Sequence, residues 1–447
     1  MNRLPLTVCA LLLLLAAPVM AAADCPALVR QALAATDSVC QTTDSNQACY
    51  GNSHLQAKPN GNIPNFTFSQ PGDRVNLSDV KSLQLSPMTL DTGEWGVALM
   101  HIQANLSAKS NKNLMLLAFG DVAIENTAPV PTAADVQVVG KEAVNVRWLP
   151  NVKAGAVAVL QPGQQVTAVE RLADNSWLRI NLPDSGETGW IRGDLITTTN
   201  DLRSLNVTQA DQPNYRPMQA FTFSSGNDQQ NCAEIPQDGL IIQTPEGAGE
   251  VRLWINQVVV KLGSTVYFQA QPNGDMIITT LEGHATVEAL GISYTAVAGT
   301  SVRVKLDADM KPVAPPRLPE SYSVAAVQNL PVSDLQRPIA IHAPLTDAQV
   351  AVVQAQQQTQ AVVSTVTTLA TDTVGAVADT AAAVVNGTVN TVGTVVDSVG
   401  NTVSDVVNGG DSTDTGSGSS DDSSGDNDGG GLVDTILNLP CTLLLCK

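Results

Sequence analysis

Thiols are the residues of this 447-residue chain whose number and spacing point most directly to chemistry. Residues 1–23 open with Arg3, run through an apolar stretch and end in Ala21, Ala22 and Ala23, the pattern of a cleaved secretory leader. Cleavage would remove Cys9 and leave Cys25, Cys40, Cys49, Cys232, Cys441 and Cys446 in an oxidising compartment, where an even count predicts disulfides. Six cysteines allow fifteen pairings. Cys441 and Cys446 are close together at the far end, which predicts a local bond and leaves Cys232 to one of the three N-terminal cysteines. Asp24 before Cys25 argues against a lipoprotein, whose site requires a small residue there. Zinc is not expected, because no Cys-x-x-Cys pair with a nearby His completes a tetrahedral ligand set.

The histidines offer no comparable chemistry. His54 and His101 have no Ser or Cys pattern beside them, and His284, near Glu282 and Glu288, lacks the partners of a nucleophilic or acid–base site. Asp421, Asp422, Asp426 and Asp428 fall in a Gly/Ser-rich stretch without the closing Glu of a calcium loop. No catalytic residue, no metal and no cofactor is therefore expected. The remaining candidates are flat aromatic and forked cationic side chains: Trp148, Trp177 and Trp190, with Asn145 and Arg147 just before the first of them. Aromatic faces bind sugars and peptides through apolar contact at low entropic cost, and a guanidinium pairs with carboxylates.

These residues fall within 137–198, a run of alternating apolar segments ended by turn residues such as Pro162-Gly163 and Asp184-Ser185-Gly186, as in a small antiparallel barrel. Val144-Asn145-Val146-Arg147 opens the unit and Gly189-Trp190-Ile191 closes it. This order resembles the bacterial SH3 domain (SH3b, type 3). Trp148-Leu149 stands where that family usually has small residues before the proline. The resemblance implies a non-catalytic barrel that binds wall peptides, glycans or another envelope protein. Trp148 would then be the exposed aromatic, with Trp177 and Trp190 read more readily as core.

Around this unit the sequence predicts mainly β structure. Residues 24–130 read as a Cys-containing β-rich module that begins with a helix over 26–35, its Leu28, Val29 and Leu33 on one face. Residues 215–310 read as a second β domain of short Val/Ile/Thr-rich strands. Its Leu262-Gly263-Ser264, Leu281-Glu282-Gly283 and Ala298-Gly299-Thr300 resemble the FecR-type β domain, which implies an extracytoplasmic scaffold. Together the modules resemble a secreted bacterial multi-module protein. Residues 311–345 are rich in proline and read as a stiff extended linker. Valines from Val374 to Val406 recur mostly every three or four residues within 346–408, drawing an apolar stripe on a segment read as a helix or a stalk. Residues 409–431 are a Gly/Ser/Asp linker that cannot bury enough surface to fold, and 432–447 form a short apolar end.

Composition bears on partners. With 42 acidic and 23 basic residues the formal charge is −19, which repels phosphate and disfavours nucleic acid. Twelve Asp and one Lys beyond Arg337 place −11 of that charge on the tail. Beyond the leader no stretch is long enough to span a bilayer. The sequence thus predicts a non-catalytic exported protein that binds the cell envelope or an extracellular polymer. A FecR-like signalling component, or a non-catalytic subunit of a wall-hydrolase system, is the alternative.

Overall fold

The structure, a computed structural model, describes residues 25–358 apart from 105, 107–111, 140–141, 183–186, 211 and 227–234. Residues 1–24, Cys232, Cys441, Cys446 and everything from residue 359 onward lie outside the described residues, as do the readings that fall on them, the expected leader included.

The architecture is mainly β, in three sheets. The first has nine strands in the spatial order Glu320–Ser321, Thr300–Lys305, Asp275–Glu282, Thr265–Ala270, Gly239–Gln243, Leu114–Phe119, Val97–Ile102, Gln47–Asn52 and Arg74–Asn76. The second has eight, ordered Leu55–Pro59, Val80–Leu85, Val122–Asn126, Ala220–Ser225, Val251–Ile255, Val258–Leu262, His284–Ala289 and Ile292–Val297. One hydrophobic core draws on both sheets, with Leu83, Ile124, Phe221, Phe223, Leu253 and Phe268 among its members. Alternation along Val251–Ile255 and His284–Ala289 places apolar residues inward and Arg252, His284, Thr286 and Glu288 on the other face.

This corrects the division into separate modules at 24–130 and 215–310. Both sheets take strands from both stretches. Leu114–Phe119 pairs with Gly239–Gln243 in one sheet, and Val122–Asn126 with Ala220–Ser225 in the other. Neither stretch has a face it can bury alone, and the 215–310 segment is not a self-contained FecR-type domain. The Pro-rich segment is corrected as well. Glu320–Ser321 pairs with Thr300–Lys305, Val324–Val327 is helical, and Tyr322, Val327, Leu330 and Leu335 are buried. They pack on the outer face of the nine-stranded sheet beside Trp95, Phe119 and Tyr267. Proline keeps this segment extended, yet its apolar residues hold it down.

The helix predicted over 26–35 runs from Cys25 to Cys40. Val29, Ala32, Leu33 and Cys40 are its buried apolar residues and share that outer core. Thr36 Oγ1 donates to the Ala32 carbonyl at 2.9 Å, so a β-branched polar residue is accommodated in the helix interior. Cys40 then joins Cys49 across a disulfide with Cα atoms 5.8 Å apart, anchoring the helix to the strand Gln47–Asn52. A further helix over 347–358 lies against the edge strand Ile292–Val297, where Val350 and Val353 meet Val297. Its Gln357 amide accepts from the Thr295 backbone N–H at 3.0 Å, satisfying a strand edge that would otherwise be open.

The third sheet is the barrel, ordered Ala156–Leu160, Val144–Arg147, Thr188–Arg192, Trp177–Asn181, Gln165–Arg171, Ala134–Val138 and Ile196–Thr197. Asn206–Val207 adds in parallel to Gln165–Arg171. Its core is its own, built from Val136, Val146, Leu160, Leu178, Ile180 and Ile191. The barrel enters the chain between Val122–Asn126 and Ala220–Ser225, which are paired neighbours, so it is an insertion in the sandwich. Among the described residues no helix is long and apolar enough to cross a membrane.

Candidate functional site: a cleft on the barrel

Two glycines set the local geometry. Gly189 lies where a Cβ would come within 2.5 Å of Val146 Cγ1, so only glycine lets Thr188–Arg192 lie this close against Val144–Arg147. A Cβ at Gly193 would lie 2.1 Å from the Asn175 carbonyl oxygen, so the turn after Arg192 also requires its absence. With the strands so placed, Trp190 is opposite both Arg147 and Arg179, and Trp177 is opposite Arg192. Directly opposed residues share a face, and residues two apart along a strand share it too. Arg147, Trp190, Arg179, Trp177 and Arg192 therefore form one continuous tryptophan–arginine face, on the side away from the barrel core.

The two halves of that face differ in burial. Trp190 is 2% exposed and lies beneath Arg179, whose guanidinium carbon is 4.5 Å from the ring centroid. Arg179 pairs with the buried Glu170 and donates to the Gln212 carbonyl, holding the return segment of the chain to the barrel. Burial pushes the Glu170 carboxyl up and the Arg179 guanidinium down, each opposed by the other's charge. In this half Trp190 is buried, as its reading as a core residue expects, and it does not line the cleft.

The other half opens into a cleft of about 540 Å³, lined in part by Asn145, Arg147, Val152, Trp177 and Arg192. Trp177 lines it although only 9% exposed. Arg147 spends one Nη1 donor on the Ala154 carbonyl. Arg192 is held by both oxygens of Asp194, and its hydrogen bonds keep that carboxyl below the usual range. Glu142 adds a carboxylate to the lining, so the cleft is mixed in charge with apolar walls. Its walls offer both apolar and polar groups, the mixture found in ligand-binding clefts.

Of the sequence candidates, Asn145, Arg147 and Trp177 meet at this cleft. Trp148 is 59% exposed but is not among the lining residues; Gly155 is close to its indole, a Cβ there lying 3.3 Å from Nε1. Sequence reasoning missed Val139, Val152 and Arg192. The signal that could have found Arg192 is its place two residues after Trp190, which puts it on the same face. Among the described residues no group of three or more His, Cys, Asp or Glu side chains gathers to hold a metal.

Residues 142–197 match the bacterial SH3 domain family. The match covers the opening strand of the cleft through the short strand that follows Leu195, so of the cleft-lining residues only Val139 lies outside the matched segment. It does not extend to the FecR-type resemblance. No curated protein matches the chain.

Proposed function

We propose that the chain is a non-catalytic exported binding protein, whose bacterial SH3 domain attaches to a cell-envelope polymer, a wall peptide or glycan, through the cleft at Arg147, Trp177 and Arg192. The observation that carries this reading is the meeting of those three side chains with Asn145 and Val152 in one open cleft, within the segment that matches a bacterial SH3 domain. The sandwich then acts as the scaffold that displays the barrel.

Retention of the full chain on purified bacterial cell-wall sacculi tests it. Val152 is 56% exposed on the cleft wall and Arg192 pairs only with the exposed Asp194, so Val152→Asp and Arg192→Ala leave the fold intact. Each variant is expected to lose retention at an unchanged melting temperature. Wild-type retention by both would remove the cleft from the function, and failure of the unaltered chain to bind would remove the wall as its ligand.

A further inference from the structure

The two arginines of the cleft are occupied to different degrees. Arg192 fills the side-on fork of its guanidinium with Asp194, Nε lying 2.9 Å from Oδ1 and Nη2 reaching Oδ2. Arg147 is held through Nη1 alone, on the Ala154 carbonyl. Among the described residues its Nε and Nη2 have no protein partner, and neither atom is sealed from solvent. The other arginines of the barrel are placed differently. Arg179 pairs with Glu170 and Arg203 with Asp201, while Arg171 donates to the Leu172 and Ala173 carbonyls and to Asn175. Arg147 is also half-buried, with Trp190 opposite it on the next strand. A guanidinium fixed in this way has given up much of its rotamer freedom before a ligand arrives, which lowers the entropic cost of binding.

The residues around that fork define what it can meet. A side-on guanidinium matches the two oxygens of a carboxylate, as Arg192 does with Asp194. Asn145 stands two residues before Arg147 on the same strand, and therefore on the same face. Its exposed amide both donates and accepts, the complement of a peptide unit. Val152 and Trp177 supply apolar wall for an aliphatic side chain. Glu142, exposed on the same lining, repels a second carboxylate, and the whole chain carries −19. Polyanions are therefore disfavoured, whereas a single carboxylate is not.

We propose that Arg147 is the carboxylate-recognising residue of the cleft, and that the ligand is a peptide with a free carboxylate next to an aliphatic residue rather than a neutral glycan. This rests on the reading of the cleft as a cell-envelope binding site and narrows it to one chemical class.

The test uses the full chain and two preparations of purified cell-wall sacculi, one native and one whose carboxyl groups have been converted to amides with carbodiimide and ammonium chloride. Hydrogen bonds to a charged group are strong enough that retention on the amidated preparation is expected to fall about tenfold or more. Acetyl-alanyl-alanine should displace the chain from native sacculi, and its C-terminal amide should not. Arg147→Gln should bind both preparations equally weakly. Because Arg147 also holds the Ala154 carbonyl, a lowered melting temperature in that variant leaves the decision to the amidation and competition arms, which use the unaltered chain. Equal retention of the unaltered chain on both preparations would overturn the proposal and leave the envelope reading standing. So would an Arg147→Gln variant that still prefers native sacculi at an unchanged melting temperature. Absence of retention on either preparation would instead remove the envelope reading, and this proposal with it.

Discussion

At the scale of single residues the barrel depends on one buried ion pair. Glu170 and Arg179 have side chains 6% and 5% exposed, and Arg179 is at once the partner of Glu170, the cover of Trp190 and a donor to the Gln212 carbonyl. Removing one member of such a pair strands the other charge in a poorly solvated site, which typically costs about 3–5 kcal/mol. Glu170→Gln keeps the volume and removes the charge. It is expected to lower barrel stability by that amount in urea unfolding followed by tryptophan fluorescence, whereas a change under about 1 kcal/mol would class the pair with surface bridges. The residue types at the cleft were legible in the sequence, since Asn145, Arg147 and Trp177 sit on an alternating pattern. So was the order of exposure, Trp148 outside and Trp177 and Trp190 buried, whereas the cover over Trp190 was not, because Arg179 comes to lie on it only through the pairing of two strands.

Among the elements, the helix Cys25–Cys40 shows how little of the outer sheet face protects itself. Its hold on the sandwich rests on Val29, Ala32 and Leu33 and on the Cys40–Cys49 bond. A bond closing so short a loop stabilises by about 2–3 kcal/mol, mainly by restricting the unfolded chain. Cys49→Ala together with Cys40→Ala should therefore lower the melting temperature of the sandwich while the barrel transition stays in place. A shift of the barrel transition instead would show that the two cores are coupled. The pairing also narrows the expected link from Cys232. With Cys40 and Cys49 joined, Cys25 is the N-terminal thiol left for it, and peptide mapping decides that directly.

For the whole molecule, local and non-local order separate cleanly. The barrel was readable because its strands follow one another within about sixty residues, so turn signals and alternation suffice to outline it. The sandwich was not, because the pairing of Val122–Asn126 with Ala220–Ser225 spans the entire barrel, and alternation shows that a strand has a buried face without saying against what. Proline content likewise marked 311–345 as extended but gave no sign that Tyr322, Leu330 and Leu335 would find a sheet to cover. The insertion can be tested as a unit. Thr127 and Ala128 both donate backbone hydrogen bonds to the Ala220 carbonyl, at 3.0 and 3.2 Å, so the two chain crossings lie side by side. Replacing residues 130–215 by a short Gly/Ser turn should leave a folded sandwich with its own cooperative melt, since the strand ends already stand at hairpin distance. Collapse of the remainder would mean that the barrel templates the sandwich.

That same double crossing governs how the molecule bears mechanical load. A force applied to a folded barrel pulls Val122–Asn126 and Ala220–Ser225 together along their axes. The ladders they share with Val80–Leu85 and Val251–Ile255 are then loaded in shear, with their hydrogen bonds strained at once. If the barrel unravels, the two ends separate and the same pair is peeled open one bond after another. An intact barrel is thus the condition under which the sandwich resists tension best.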